Sequence, residues 1–276
     1  MFNYQEFIKR NEGYVDVELQ QKIRETKLLI AGCGIGSSIA EAAIRLGFEK
    51  ITLVDGDVIE LHNLNRQDYN YSDVGKPKVF ALRDRLLSIN PQAEITIYND
   101  WVDKENAYDM VQEVDMVLDT IDFLSLEGII ALHDACKVQG KPVFSAVSAG
   151  WGAGALYFPP NSKTSFRHLF GIPEQGEVRH LSYVSTFKAF IAQLAQHLDA
   201  DIIRALSKAF TIMEDGKPCP ASQVAPGAFS VGALAMSMVL RVLAGKPVAE
   251  APDLVLLNMS DVCTNQVVKL KGELLQ

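Results

Sequence analysis

Residues 28–41 read LLIAGCGIGSSIAE. Apolar residues run into glycines at positions 32, 34 and 36, and apolar residues then return at helical spacing. A strand that breaks into a glycine-rich turn and resumes as a helix lets backbone N–H groups, and the positive end of the helix, face a phosphate with no side chain in the way. The dinucleotide-binding spacing is G-x-G-x-x-G. Here the third glycine falls one residue early. The turn alone is therefore compatible with nucleotide binding and with a tight strand-to-helix connection that binds nothing.

Outward from this turn, residues 27–146 alternate short apolar runs with longer helical patterns, the signature of repeated strand–helix–strand units and a parallel sheet. Strands are expected at 27–31, 51–55, 95–99, 116–119 and 142–146, and the stretches SIAEAAIRLG and KVFALRDRLLSIN carry the three- and four-residue spacing of helices laid on a sheet. After residue 146 the texture changes. SAGWGAGALYFPPN reads as a short strand entering a turn, residues 179–210 as largely helical, MEDGKPCPASQVAPG as a loop, and 227–244 as an apolar helix of small residues. DLVLLNMS and NQVVKLKG read as two further strands. The fold class is thus α/β: a Rossmann-like, mainly parallel sheet flanked by helices, with a C-terminal helical crossover and added strands.

Composition narrows the function classes. With 276 residues, 48% of them hydrophobic, the chain can bury a full core. A net charge of −8 argues against a broad surface for nucleic acid or anionic membrane, so a small-molecule or protein substrate is expected. Cys33, Cys136, Cys219 and Cys263 form no C-x-x-C pair, and His62, His133, His168, His180 and His197 have no metal spacing, so neither zinc nor a redox dithiol is signalled. Trp101 and Tyr108 read as packing residues. In SFRHLFGIPEQGEVRH, Arg167, His168 and Arg179 read as a solvated crossover loop, with contact to an acidic peptide as the alternative. The N-terminal MFNYQEFIKRNEGY lacks an apolar signal core, and the apolar run 228–240 is shorter than a bilayer span, so the expected location is cytoplasmic.

The acidic and basic residues beyond the second strand discriminate between nucleotides. ITLVDGD ends a strand at Asp55, nineteen residues after Gly36, where a carboxylate takes both ribose hydroxyls. DVIELHNLNRQDYNYSDVGKPKV then supplies Asn63, Arg66, Gln67, Lys76 and Lys78. A nicotinamide enzyme gains nothing from several cations here, whereas a triphosphate needs them to neutralise its oxygens and the charge on leaving pyrophosphate. Lys76 reads as solvated; Arg66 and Lys78 read as site cations. An NAD-dependent oxidoreductase remains an alternative that rests on the turn and Asp55 alone.

The glycine turn together with VDGDVIELHNLNRQ, VGKPKV, INP and DTID resembles the ThiF/MoeB/HesA family, bacterial relatives of the ubiquitin-activating E1 enzymes, over about the first 160 residues. The resemblance implies an ATP-binding Rossmann-like adenylation region at 1–160 and a crossover and substrate-binding region of the same domain at 161–276. It implies ATP and Mg2+ as cofactors, and adenylation of a carboxylate, commonly the C-terminal glycine of a ubiquitin-like or sulfur-carrier protein or peptide. Under it Gly32, Gly34 and Gly36 cradle ATP, Asp55 holds the ribose, and Asp57 is the second acid of the same motif. Asn63 and Arg66 lie at the phosphates with Gln67 beside them, Lys78 is the family lysine, and Asp122 holds Mg2+ while Asp119 caps its strand. Arg10 resembles an N-terminal arginine that reaches the γ-phosphate of the neighbouring subunit, which implies a homodimer. Arg66, Lys78, Arg10 and Mg2+ on Asp122 would then supply countercharge; the substrate carboxylate is already ionised and needs no general base.

Departures from the family pattern carry expectations too. Many members have two C-x-x-C pairs for zinc, but Cys219 stands without a partner, so no zinc is expected. Cys219 is instead a candidate thiol for receiving the activated acyl group, the alternative being a loop cysteine with no chemistry. Phe123 occupies a place where several relatives have asparagine, which alters the Mg2+ shell. A related reading is a threonylcarbamoyladenosine dehydratase acting on tRNA, which shares the NxNRQ and INP elements; the acidic net charge weighs against tRNA.

Overall fold

β1 (Lys27–Ala31) is buried from its second residue on because it is an interior strand of a sheet covered by helices on both faces. Leu28 and Ile30 enter one core cluster and Leu29 and Ala31 the other, as the two-residue period of a strand requires. The computed structural model describes residues 1–122, 125–178, 183–214 and 222–269.

Before β1 come two helices, α1 (Tyr4–Phe7) and α2 (Val17–Glu25). After it the chain runs through α3 (Gly36–Leu46), β2 (Lys50–Val54), α4 (Lys78–Ile89), β3 (Glu94–Tyr98), α5 (Ala107–Gln112), β4 (Met116–Asp119), α6 (Leu126–Gln139) and β5 (Val143–Ala149). It continues through β6 (Gly152–Phe158), α7 (Phe166–Leu169), α8 (Tyr183–Leu194), α9 (Ala200–Glu214), α10 (Ala225–Leu243), β7 (Val255–Leu257) and α11 (Met259–Asn265). The sheet order is β3-β2-β1-β4-β5-β6-β7; the first five strands are parallel and the last two are added antiparallel. The expected mainly parallel sheet is therefore present, with its five parallel strands within a few residues of the predicted bounds.

The second half differs in detail. The glycine-rich stretch after residue 146 is a hairpin: β5 continues to Ala149 and pairs along its length with β6. Of the two strands expected in the tail, Val255–Leu257 is the one that forms among the described residues. Asn258 then caps a helix by accepting a hydrogen bond from Ser260 N–H, so NQVVKLKG begins at the end of α11 and runs on without regular structure to residue 269. The apolar run 228–240 belongs to a longer helix, α10, of 19 residues. Its length and composition match a membrane span, yet Ala228, Val231, Ala235 and Val239 are fully buried and the helix packs on α3, β5 and β6. A small-residue face allows this contact: a Cβ on Gly232 would lie 2.4 Å from the Ser38 carbonyl oxygen.

Candidate active site

In an open parallel sheet the ligand crevice lies at the carboxyl ends of the strands, where the strand order reverses. That reversal falls between β1 and β4 here. The glycine turn follows β1, Asp55 follows β2 and Thr120–Asp122 follow β4, so three segments far apart in the chain meet at one edge. Gly32 is in the left-handed region (φ +87°), and a Cβ there would sit 2.4 Å from the Thr120 backbone oxygen. Gly36 opens α3 in contact with Thr120, whose Oγ1 would lie 2.5 Å from an added Cβ. Its role is close packing of the turn on the strand-end of β4. Ser37 does not block the turn, because its hydroxyl donates to the Gly34 carbonyl and accepts from Asp68 N–H.

A cavity of about 380 Å3 opens above this edge. Gly32, Gly34, Asp55 and Asp57 border it, and so do Asn63, Arg66, Gln67, Lys78 and Asp122. Of the sequence-predicted set, Gly36 lies beneath the cavity, Cys219 lies outside the described residues, as does Phe123, and Arg10 is exposed elsewhere. Asn11, next to Arg10, donates to the Leu46 carbonyl at the far end of α3, about 16 Å along the helix from the glycine turn. Lys76 is the expected solvated residue, paired with Asp73 at the surface.

The electrostatics divide the cavity into two polar zones. On the β2 side the Asp55 carboxylate is buried and accepts from the N–H groups of Cys33 (2.7 Å) and Asp57 (2.8 Å). Burial raises its pKa, and the nearby Lys78 charge opposes that rise. Lys78 is itself buried at the start of α4, with Nζ 2.7 Å from Asp57 Oδ2 and 3.9 Å from Asp55 Oδ2. On the other side, Arg66 ends a 3-10 turn that presents the NLNRQ segment. Its Nε donates to Gln223 Oε1 (2.5 Å) and its Nη1 to the His62 carbonyl and Asn65 Oδ1. Partial burial lowers the Arg66 pKa while the Asp122 charge works the other way, and a guanidinium stays protonated throughout. Asn63 is fixed by accepting from Glu60 N–H, and Gln67 Oε1 is a buried acceptor with no protein partner among the described residues.

Some wall residues escaped the sequence reading. Trp101 is in a loop after β3, half exposed, with its ring against Gly56 and one side on the cavity. It is a wall of the site rather than a core residue, and its position one loop past a parallel strand was the available signal. Gln223, which holds Arg66, comes from the segment before α10. The far wall is apolar and belongs to α8 and α9. Arg167, expected to be solvated, is buried in a fork with Asp134 (2.8 Å) and carbonyls of Pro173 and Gly176; it clasps α7 to α6. Asp119 is also structural: its Oδ2 meets both His133 Nε2 (3.0 Å) and Ser145 Oγ (2.8 Å) below the site.

A family model described as ThiF family matches residues 8–269. The chain belongs to the ThiF family. The adenylyltransferase and sulfurtransferase MOCS3-1 of Zea mays is 30% identical over 159 residues, covering 57% of this ThiF-family chain and 34% of the maize protein. The sulfur carrier protein adenylyltransferase of Thermus thermophilus is 26% identical over 200 residues, covering 70% and 73%. Among solved structures, Escherichia coli MccB with ATP superposes with a TM-score of 0.62 at 20% identity, covering 88% of this chain and 66% of that one, which is likeness of fold. The matched segment thus spans about a third of the maize relative's length. The family match extends through the crossover half, beyond the first 160 residues that carry the motifs.

Proposed function

We propose that this ThiF-family protein is an ATP-dependent adenylyltransferase. The observation that carries the reading is one cavity bordered by a buried carboxylate at the end of β2, Asp55, by the glycine turn that leads into α3 and by a half-buried guanidinium, Arg66. The Gly32–Gly34 turn, whose one side chain, Cys33, is buried toward the Val54 carbonyl, fits a nucleotide drawn close to the backbone. ATP is set with its ribose on Asp55, its base beside Trp101 and its phosphates across the glycine turn toward Arg66.

An oxygen of the substrate carboxylate forms the new bond to the α-phosphorus. The bond from that phosphorus to the β-bridging oxygen breaks, and pyrophosphate leaves with the electron pair. The chain's task is placement and countercharge. Arg66 faces the phosphates from a position locked by Gln223, His62 and Asn65. Lys78 adds a positive charge beneath the nucleotide and keeps Asp55 and Asp57 in place. Asp122 is the residue that would hold Mg2+, which neutralises phosphate charge when bound. Among the described residues no group of three His, Cys, Asp or Glu side chains gathers there.

The substrate class follows the relatives, which include a sulfur carrier protein adenylyltransferase: a peptide or small carrier protein presenting a C-terminal carboxylate to residues 161–276, with 1–160 holding the nucleotide. Arg10, remote from its own cavity, serves the site of a second copy in a cytoplasmic homodimer. The test is isotope exchange between pyrophosphate and ATP in the presence of candidate carboxylates, with NAD and ATP compared in thermal shift. Carboxylate-dependent exchange with stabilisation by ATP is expected. Stabilisation by NAD and not by ATP would overturn the reading.

A further inference from the structure

The cavity continues past its polar zones. Beyond the ends of β4 and β5 it becomes an apolar chamber walled by Phe187, Phe190 and Ile191 of α8 and by Ile202, Leu206 and Phe210 of α9. Its floor is the β5–β6 turn, where Gly150 (φ +57°) comes so near that an added Cβ would lie 2.3 Å from Ile202 Cγ1. The chamber begins at β5, three strands from the β2 end that carries Asp55, a lateral distance of about 14 Å at the usual strand spacing. The base lies on the opposite, β3, side beside Trp101. On the adenylation reading, on which this inference rests, the chamber therefore lies beyond the phosphates, where the acyl substrate enters.

We propose that the chamber is a selectivity site for the last residue of a peptide substrate, and that this residue is large and apolar: leucine, isoleucine, methionine or phenylalanine. Its side chain fills the space between α8 and α9, and its carboxylate meets the α-phosphate beside Arg66. A terminal glycine would leave six apolar walls facing unfilled space. A terminal charged side chain would be stripped of water with no partner among those walls.

The test uses full-length protein and peptides identical except for the last residue, read by pyrophosphate–ATP exchange, with 4-methylpentanoic acid as a non-peptide apolar carboxylate. The leucine-ended peptide is expected to exceed the glycine- and glutamate-ended ones by at least about tenfold in kcat/KM, as loss of several methylenes from an apolar site requires. It is also expected to exceed the free acid. Ala205→Phe, which narrows the chamber from α9, should shift the leucine-to-glycine ratio at least tenfold toward glycine, and Ile202→Ala, which enlarges it, should shift preference from leucine toward phenylalanine. Stabilisation by ATP, read on each variant, identifies a misfolded one. Equal or better use of the glycine-ended peptide overturns the inference while leaving adenylation intact. Equal use of the free acid overturns the peptide assignment. Absence of exchange with every apolar-ended peptide overturns the inference whether or not ATP binds, and absence of ATP stabilisation in the unaltered protein removes the adenylation reading as well.

Discussion

The contact between Gly36 and Thr120 carries a prediction whose size can be worked from the geometry. Thr120 Oγ1 donates to the Gly32 carbonyl (2.6 Å) and lies 3.1 Å from the Ala31 carbonyl, so one hydroxyl ties the strand-end of β4 to the glycine turn. In Gly36→Ala the new methyl would meet that hydroxyl at 2.5 Å and Ile30 Cγ2 at 3.1 Å. The hydroxyl must swing away, giving up its bond, and the overpacking costs about 1–3 kcal/mol. Thr120→Ala alone removes one hydrogen bond, about 0.5–1.5 kcal/mol. In the double variant the methyl faces only the residue 120 Cβ at 3.7 Å, an ordinary contact, and Ile30 remains the one tight neighbour. The pair is therefore expected to be about 1–2 kcal/mol more stable than the sum of the singles, within the range that touching residues show. Urea unfolding of the four proteins measures this directly, because such a difference is a large share of the roughly 5–15 kcal/mol that holds a domain together. Additivity within about 0.5 kcal/mol would refute the packing role. A double variant that recovers stability yet gains nothing from ATP would assign Gly36 to the phosphate instead.

Four other outcomes test the site. Arg66→Ala and Asp122→Ala should each lower pyrophosphate–ATP exchange by roughly a hundredfold or more, the scale of losing one preorganised charge; wild-type exchange in both would remove their roles. Trp101→Ala should weaken ATP binding by about 1–3 kcal/mol, the value of one aromatic stacking face, while Trp101→Phe keeps most of it; unchanged binding in the alanine variant would leave the ring a cover for Gly56. Burial, with Glu41 nearby, raises the Asp68 pKa, so the folded state holds that proton more tightly and Asp68 subtracts stability as pH rises above the ordinary carboxylate range. Asp68→Asn should accordingly raise Tm at pH 7 and lose that advantage as pH falls toward 4, and a pH-independent difference would contradict the burial argument. Finally, mixing Arg10→Ala and Arg66→Ala chains, each inactive alone, should restore about a quarter of wild-type exchange, because a two-fold dimer of one chain of each kind has one complete site; no recovery in a verified heterodimer would end the cross-subunit role.

The parts of the site legible in the sequence are those that a parallel sheet places by rule. Each strand–helix unit returns the chain to the same edge, so a glycine turn after one strand and an aspartate after the next must lie side by side, and Gly32 and Asp55 do. The burial of both faces of β1 follows from its unbroken apolar run in the same way. Trp101 reads as a packing residue because a loop aromatic near a helix has the same local pattern whether it faces a core or a crevice.

The crossover half obeys no such rule, and its contribution depends on meetings between distant segments. Gln223 orients Arg66 from 157 residues away, and no periodicity announces a pair of that kind. The glycines of the β5–β6 hairpin read as a strand entering a turn, because the cause of the hairpin glycines is external. A Cβ on Gly150 would strike Ile202 of α9, one on Gly152 would fall 1.8 Å from the Leu257 carbonyl oxygen of β7, and one on Gly227 would fall 2.1 Å from the Gly150 carbonyl oxygen. Three elements that come later in the chain press on one turn, and only their assembly explains its glycines at 150 and 152. The same convergence builds the apolar chamber above it. On the proposed function, the nucleotide site is written in local motifs, whereas acyl selectivity would be set by how α8 and α9 settle on that turn.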